Sequence, residues 1–183
     1  MTAPEPTTIL LHKPVGFDAI EGSRPARALV TPDARWEGDA TGIDPQDMHF
    51  VRLTPLVPLD REDSGLMVLT QDGRCWRRLT EDAESIEHEY IVEVSGEIRP
   101  WGLQRLNHGL RYRRRELPPC KVSWQNEIRL RFAIKGAEPG QLRDMCAQVG
   151  LGVVAIRRIR IGKVPLGKMP PGTWRYFPVG EKF

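Results

Sequence analysis

The segment Ile128–Gly136, IRLRFAIKG, alternates without interruption: Ile128, Leu130, Phe132 and Ile134 fall on one side, with Arg129, Arg131 and Lys135 on the other. A helix would scatter these side chains around its circumference, so only a strand with one buried face accommodates them. Tyr90–Ile98, YIVEVSGEI, repeats the period. Gly65–Thr70, GLMVLT, is a continuous apolar run between turn residues, which fits a strand buried on both faces. TTILLHK reads as a strand ending at Pro14, and VVAIRRIRIGKV as a strand late in the chain.

Helical spacing lies between these strands. In QLRDMCAQVG, Leu142, Met145, Cys146 and Val149 fall at i, i+3, i+4 and i+7, and Gly150 is placed to stop the helix. Pro100 is suited to a helix start, with Leu103, Leu106 and Leu110 on one face, and Trp76 and Leu79 predict the apolar side of a short helix. Residues 17–55 have no firm period and read as loops with short strands. Strands and helices mix without a regular βαβ rhythm, which predicts an α+β fold rather than a doubly wound one. At 183 residues the chain suits one domain, expected over residues 9–183 after a frayed segment at 1–8.

No stretch approaches the roughly 18 apolar residues of a membrane helix, and MTAPEPTTIL has no basic stretch leading into an apolar run, so a cytoplasmic protein is expected. Cys75, Cys120 and Cys146 are odd in number and far apart, as reduced thiols are. No Cys or His pair has ligand spacing, so no metal is expected. GLGVVA has the letters of a dinucleotide fingerprint, but its glycines follow a helix instead of a strand. DREDSG lacks the spacing of a calcium loop.

Net charge is only +3, so affinity for polyanions must come from clustering. Arg outnumbers Lys by 21 to 6, and two runs are dense: RYRRR at 111–115 and RRIR at 157–160. Guanidinium groups suit phosphates and stack on bases, although a solvated charged face has the same letters.

One stretch remains: VPLDREDSGLMVLTQDG, in which Asp60 precedes the buried strand. Read locally, Asp60 is first of all a turn or cap residue before a buried strand. The stretch resembles the "RLD" motif of RNA pseudouridine synthases. Four further segments match that family in order: LLHKPVG its opening strand, HEYIVEV its tyrosine strand, FAIKGAEPGQLRDMCAQVG its strand, loop and helix, and RRIRIGKVPLGKMPPGTWRYF its C-terminal segment. The resemblance is strongest to the ribosomal type, particularly the F-type branch of the large-subunit enzymes, without the small N-terminal RNA-binding domain often attached there.

The resemblance implies the synthase catalytic fold, a mixed and mainly antiparallel sheet with flanking helices and a central cleft. It implies an enzyme that isomerises a uridine in ribosomal or transfer RNA and needs no cofactor; nothing in the sequence demands more than a monomer. Asp60 would attack C1′ or take the 2′ proton, Arg143 would keep Asp60 ionised, and Tyr90 would stack on the uracil. Leu166 and Gln141 would line the pocket. Lys13, Arg61, Arg74, Arg111, Arg113, Arg114, Arg115, Arg157 and Arg158 would hold RNA. The chain departs from the family pattern at Pro58, where an Arg is usual, at His88, where a Lys is usual, and in the loop KGAEPGQ, which lacks two Arg. These departures leave open a catalytically silent RNA-binding or ribosome-assembly protein.

Overall fold

A computed structural model describes residues 5–183. In chain order its elements are β1 (Thr8–Lys13), β2 (Thr54–Leu56), β3 (Ser64–Thr70), α1 (Gly73–Thr80), β4 (Glu87–Ser95), α2 (Gly102–Asn107), β5 (Arg111–Tyr112), β6 (Arg115–Glu116), β7 (Lys121–Trp124), β8 (Arg129–Lys135), α3 (Gln141–Gln148), β9 (Gly152–Ile161), β10 (Val164–Pro165) and β11 (Trp174–Tyr176). Nine strands form one sheet in the order β11-β1-β3-β9-β4-β8-β7, with β2 added to β3 and β10 to β9. Every strand pairing in it is antiparallel except β3 with β9. The α+β expectation therefore holds.

The apolar patterns explain the packing. Along β3, Leu66 and Val68 join one buried cluster with Leu10, Leu79, Ile161 and Leu166, while Met67 and Leu69 join another with Ile9, Leu11, Trp174 and Tyr176. A strand covered on both faces cannot alternate polar with apolar, hence its continuous run. A third cluster joins the inner faces of β4 and β8 (Tyr90, Val92, Leu130, Phe132, Ile134) to Leu142, Met145, Cys146 and Val149 of the α3 region.

Several expectations are corrected at element edges. Ile128 precedes β8 and is exposed. On α1 the buried residues are Cys75 and Leu79, one helical turn apart, and Trp76 faces outward. Leu110 lies beyond the end of α2, although it is buried. Residues 17–55 are, as expected, mostly loop, with short 3₁₀ turns and the start of the short strand β2, and they cover the Trp174 cluster through Ala26, Val30, Phe50 and Leu53. Of the segment expected to fray, residues 1–4 lie outside the described residues, whereas Thr7 and Thr8 are buried and Thr8 opens β1.

The parallel contact fixes the site. Ser64 pairs with Arg157 and Gly65 with Arg158. Gly65 has φ +121°, and a Cβ there would lie 2.3 Å from the Arg158 carbonyl oxygen. Only glycine lets the two backbones approach this closely.

Candidate active site

Asp60 and Asp63 are the first and last residues of a turn closed by the Asp63 N–H donating to the Asp60 carbonyl at 3.0 Å. The local reading of Asp60 as a turn residue is therefore correct as far as it goes. The turn is held from beneath. Lys13, fully buried, donates to the carbonyls of Phe17 at 2.7 Å, Pro14 at 3.0 Å and Arg61 at 3.4 Å, and the Gly16 N–H reaches the Arg61 carbonyl at 2.8 Å. On the other side, Arg158 donates to the carbonyls of Leu66, at 2.8 Å, and Val57. Val57 itself has φ +47°, a conformation a β-branched residue adopts only when its surroundings impose it.

The turn forms one wall of a cavity of about 280 Å³, lined also by Leu59, Leu79, His88, Tyr90, Glu138, Leu142, Arg143, Ile156 and Arg158. The turn before β3 and segments from α1, β4, α3 and β9 thus converge on one space, and it holds all three expected catalytic residues. Asp60 exposes 45% of its side chain, while Tyr90 is buried. Arg143 approaches Asp60 at 3.7 Å and Glu62 at 4.0 Å. Its closest partner is Asp63, which accepts from the two terminal guanidinium nitrogens, Nη1 and Nη2, at 3.0 and 2.5 Å.

Electrostatics follow from that arrangement. Burial pushes the Asp60 carboxyl above the usual carboxylate range, the charges of Asp63 and Glu62 add to the push, and Arg143 and Lys13 oppose it. The hydrogen bond to Asp63 raises the Arg143 guanidinium further, so it stays a cation. His88, whose Nδ1 lies 3.4 Å from the Tyr90 hydroxyl, is pushed down to about 3 by burial and by Arg158 and Arg160, so it is neutral at pH 7. Burial lowers Arg158 too, with the Tyr90 hydroxyl beside it opposing. The thiols carry no nucleophilic role here: burial raises Cys75 and Cys120 to about 11 and Cys146 to about 12.

Other expected residues lie elsewhere. Leu166 lines a separate cavity of about 850 Å³ with His12, Ser64, Arg157 and Lys168. The apolar wall beside Tyr90 is Ile156 instead. Gln141 is buried and faces its own loop, accepting from the Glu138 N–H at 3.1 Å. Lys13 and Arg158 are internal clamps with their donors committed to backbone carbonyls, so neither projects outward to grip RNA. Arg157, its neighbour on β9, points to the opposite face, as successive strand residues do, and is exposed. Arg61 pairs with Asp18 at 3.1 Å, and Arg74, on α1, with Asp72 at 3.2 Å.

The run RYRRR forms the hairpin β5–β6. Arg113 and Arg114 make its tip, with φ of +50° and +65°, and both are exposed. The hairpin leans on the cavity rim: the Tyr112 hydroxyl donates to the Pro139 carbonyl at 2.7 Å, and Arg115 lies 3.7 Å from Glu138. Among the described residues no group of three or more His, Cys, Asp or Glu side chains converges on a metal position, and no helix is long and apolar enough to cross a membrane.

Comparison with known proteins gives a consistent picture. No family model matches the chain. It is 28% identical over 180 residues to ribosomal small subunit pseudouridine synthase A of Vibrio cholerae, covering 96% of this chain and 72% of that one. Over 167 residues it is 28% identical to the dual-specificity RNA pseudouridine synthase RluF of Escherichia coli, covering 91% of this chain but only 53% of that one. Ribosomal large subunit pseudouridine synthase E of Xanthomonas campestris is 29% identical over 186 residues, with 91% of this chain and 93% of that one covered. The chain thus spans about half the length of one of these relatives and nearly all of another. A crystal structure of a pseudouridylate synthase superposes with a TM-score of 0.77 at 21% identity, over 94% of this chain and 70% of the other.

Proposed function

We propose that this chain, a member of the ribosomal-type RNA pseudouridine synthases, isomerises a uridine to pseudouridine in RNA, with ribosomal RNA the first substrate class and transfer RNA the second. The reaction breaks the bond from N1 to C1′, joins C5 to C1′, and moves a proton from C5 while N1 regains one. It involves no net oxidation, so its balance needs no redox partner.

One observation carries the reading. A half-exposed carboxylate, a guanidinium and a buried tyrosine from three distant segments share a cavity walled by Leu59, Leu79, Leu142 and Ile156. A loosening glycosidic bond develops positive charge at C1′, and a carboxylate beside it stabilises that charge. In this reading Asp60 supplies the carboxylate and Arg143 keeps it ionised against burial. Tyr90 meets the uracil face, and the target nucleotide leaves its stack to enter. The hairpin tip at Arg113 and Arg114 takes flanking phosphates. The domain is a single catalytic unit over residues 9–183, acting as a monomer in the cytoplasm.

The test is release of tritium from transcripts labelled at uracil C5. Asp60→Asn is expected to cut release on the order of a thousandfold or more while RNA binding persists. Binding by the parent protein without release would refute the reading and favour a silent RNA-binding protein. Besides the departures at Pro58, His88 and the loop KGAEPGQ, that rival draws on one structural observation: the Arg143 fork closes on Asp63 rather than on Asp60.

A further inference from the structure

The same observation supports a more specific conclusion, which rests on the synthase reading. We propose that Asp63 is the positioning residue of this site: its buried carboxylate anchors the fork of Arg143 and so decides where the cation stands relative to Asp60. The geometry is asymmetric. Asp63 is 5% exposed and takes two guanidinium donors, whereas Asp60 is left at 3.7 Å, beyond hydrogen-bonding distance from the same group. A bidentate carboxylate–guanidinium contact fixes the plane of the fork, which a single contact does not. The Asp60–Asp63 turn sets the offset between the two carboxylates through the backbone. Asp63 thus orients Arg143 without touching the reacting atoms, and Asp60 keeps its oxygens free for the ribose.

Asp60 faces a crowded set of groups. Lys13 comes from β1, Glu62 and Asp63 from its own turn, His88 and Tyr90 from β4, Glu138 from the loop before α3, Arg143 from α3 and Arg158 from β9. Burial and the charges of Asp63 and Glu62 raise its ionisation range. Replacing Asp63 by a neutral group removes one of those negative charges and frees Arg143 to close on Asp60. Both changes favour the ionised form of Asp60, so its titration must move to lower pH.

The experiment measures the tritium-release rate at saturating RNA from acid to neutral pH. For Asp63→Asn, the acid limb is expected to fall on the order of one pH unit. The rate at neutral pH is expected to drop about tenfold because the guanidinium leaves its place. Asp63→Glu, which keeps the charge, should hold the acid limb at the parent position. Asp63→Ser carries the same expectation as Asp63→Asn and serves if the latter fails to fold. In an Arg143→Lys background, Asp63→Asn should add little further loss, because both act through one contact. A neutral variant that melts lower yet keeps the parent rate and acid limb would show a merely structural Asp63 and overturn the proposal, as would an acid limb that moves upward. Absence of release from the parent protein would instead refute the synthase reading.

Discussion

Arg158 separates two explanations of an arginine-rich strand. If it is an internal clamp, Arg158→Met removes the donors that satisfy the carbonyls of Leu66 and Val57. An unpaired buried carbonyl costs about 1–3 kcal/mol. The Leu66 carbonyl lies in a fully buried strand, whereas Val57 is half-buried and recovers part of its loss from water. Relief of a desolvated cation offsets some of the rest. The net expectation is a destabilisation of about 3 kcal/mol, which for a chain of this size lowers the melting temperature by about 6–12 °C. Because the guanidinium meets no phosphate, the dependence of RNA affinity on salt should keep its slope. Thermal melting followed by circular dichroism and filter binding across a salt series measure the two effects. A variant that melts within about 2 °C of the parent, with a salt slope smaller by about 0.7, would refute the clamp and restore Arg158 to the RNA surface.

The hairpin tip should behave in the opposite way. Arg113→Ala with Arg114→Ala is expected to reduce the salt slope by about 1.4 while leaving the unfolding midpoint nearly unchanged; an unaltered slope would place the RNA elsewhere. Gly65→Ala forces a Cβ to 2.3 Å from the Arg158 carbonyl oxygen at a φ of +121°, and urea unfolding should show a loss of about 3 kcal/mol or more. Parent-like stability there would sink the close-approach account of the parallel pair. His88 is held neutral down to about 3 against an ordinary value of 6.5, so between these limits the unfolded chain binds the extra proton and stability falls as pH falls. At pH 4.5 the effect is about 2.7 kcal/mol. His88→Gln should therefore flatten the difference in urea stability between pH 7 and pH 4.5, and an unchanged difference would count against it.

Much of this architecture was legible where one face of an element is buried. The strand β8 and the helix α3 repeat their apolar residues at periods of two and of 3.6, and water enforces both. The pairing of Asp60 with Arg143 has no such local signature. Neither residue is periodic with anything nearby, and only the ordered family resemblance joined them. Asp63 has no signature that sets it apart from its acidic neighbours in DREDSG, although an acid directly before a buried strand is the available signal. The strand period also held information that the density of Arg obscured. Ile156 and Arg158 share one face of β9, so Arg158 belongs with the buried Ile156, and Ile156, not Leu166, faces the cavity. Residues 17–55 were legible only as loops with short strands, because coil packed over a cluster has no period to say what it covers.

The parallel contact between β3 and β9 also orders the assembly of the molecule. Within the sheet, the strands β11, β1, β2 and β3 meet the remaining strands through only two residue pairs. The first group is incomplete until Trp174 and Tyr176, made more than 160 residues later than Ile9 and Leu11, pair beside them. A growing polypeptide therefore finishes its second half-sheet before its first, and long-range closures of this kind are slow. Asp60 is made early and waits through most of synthesis for the strand that completes the lobe carrying it. The half-sheet that begins with β1 is thus closed only by the last strand of the chain to be made.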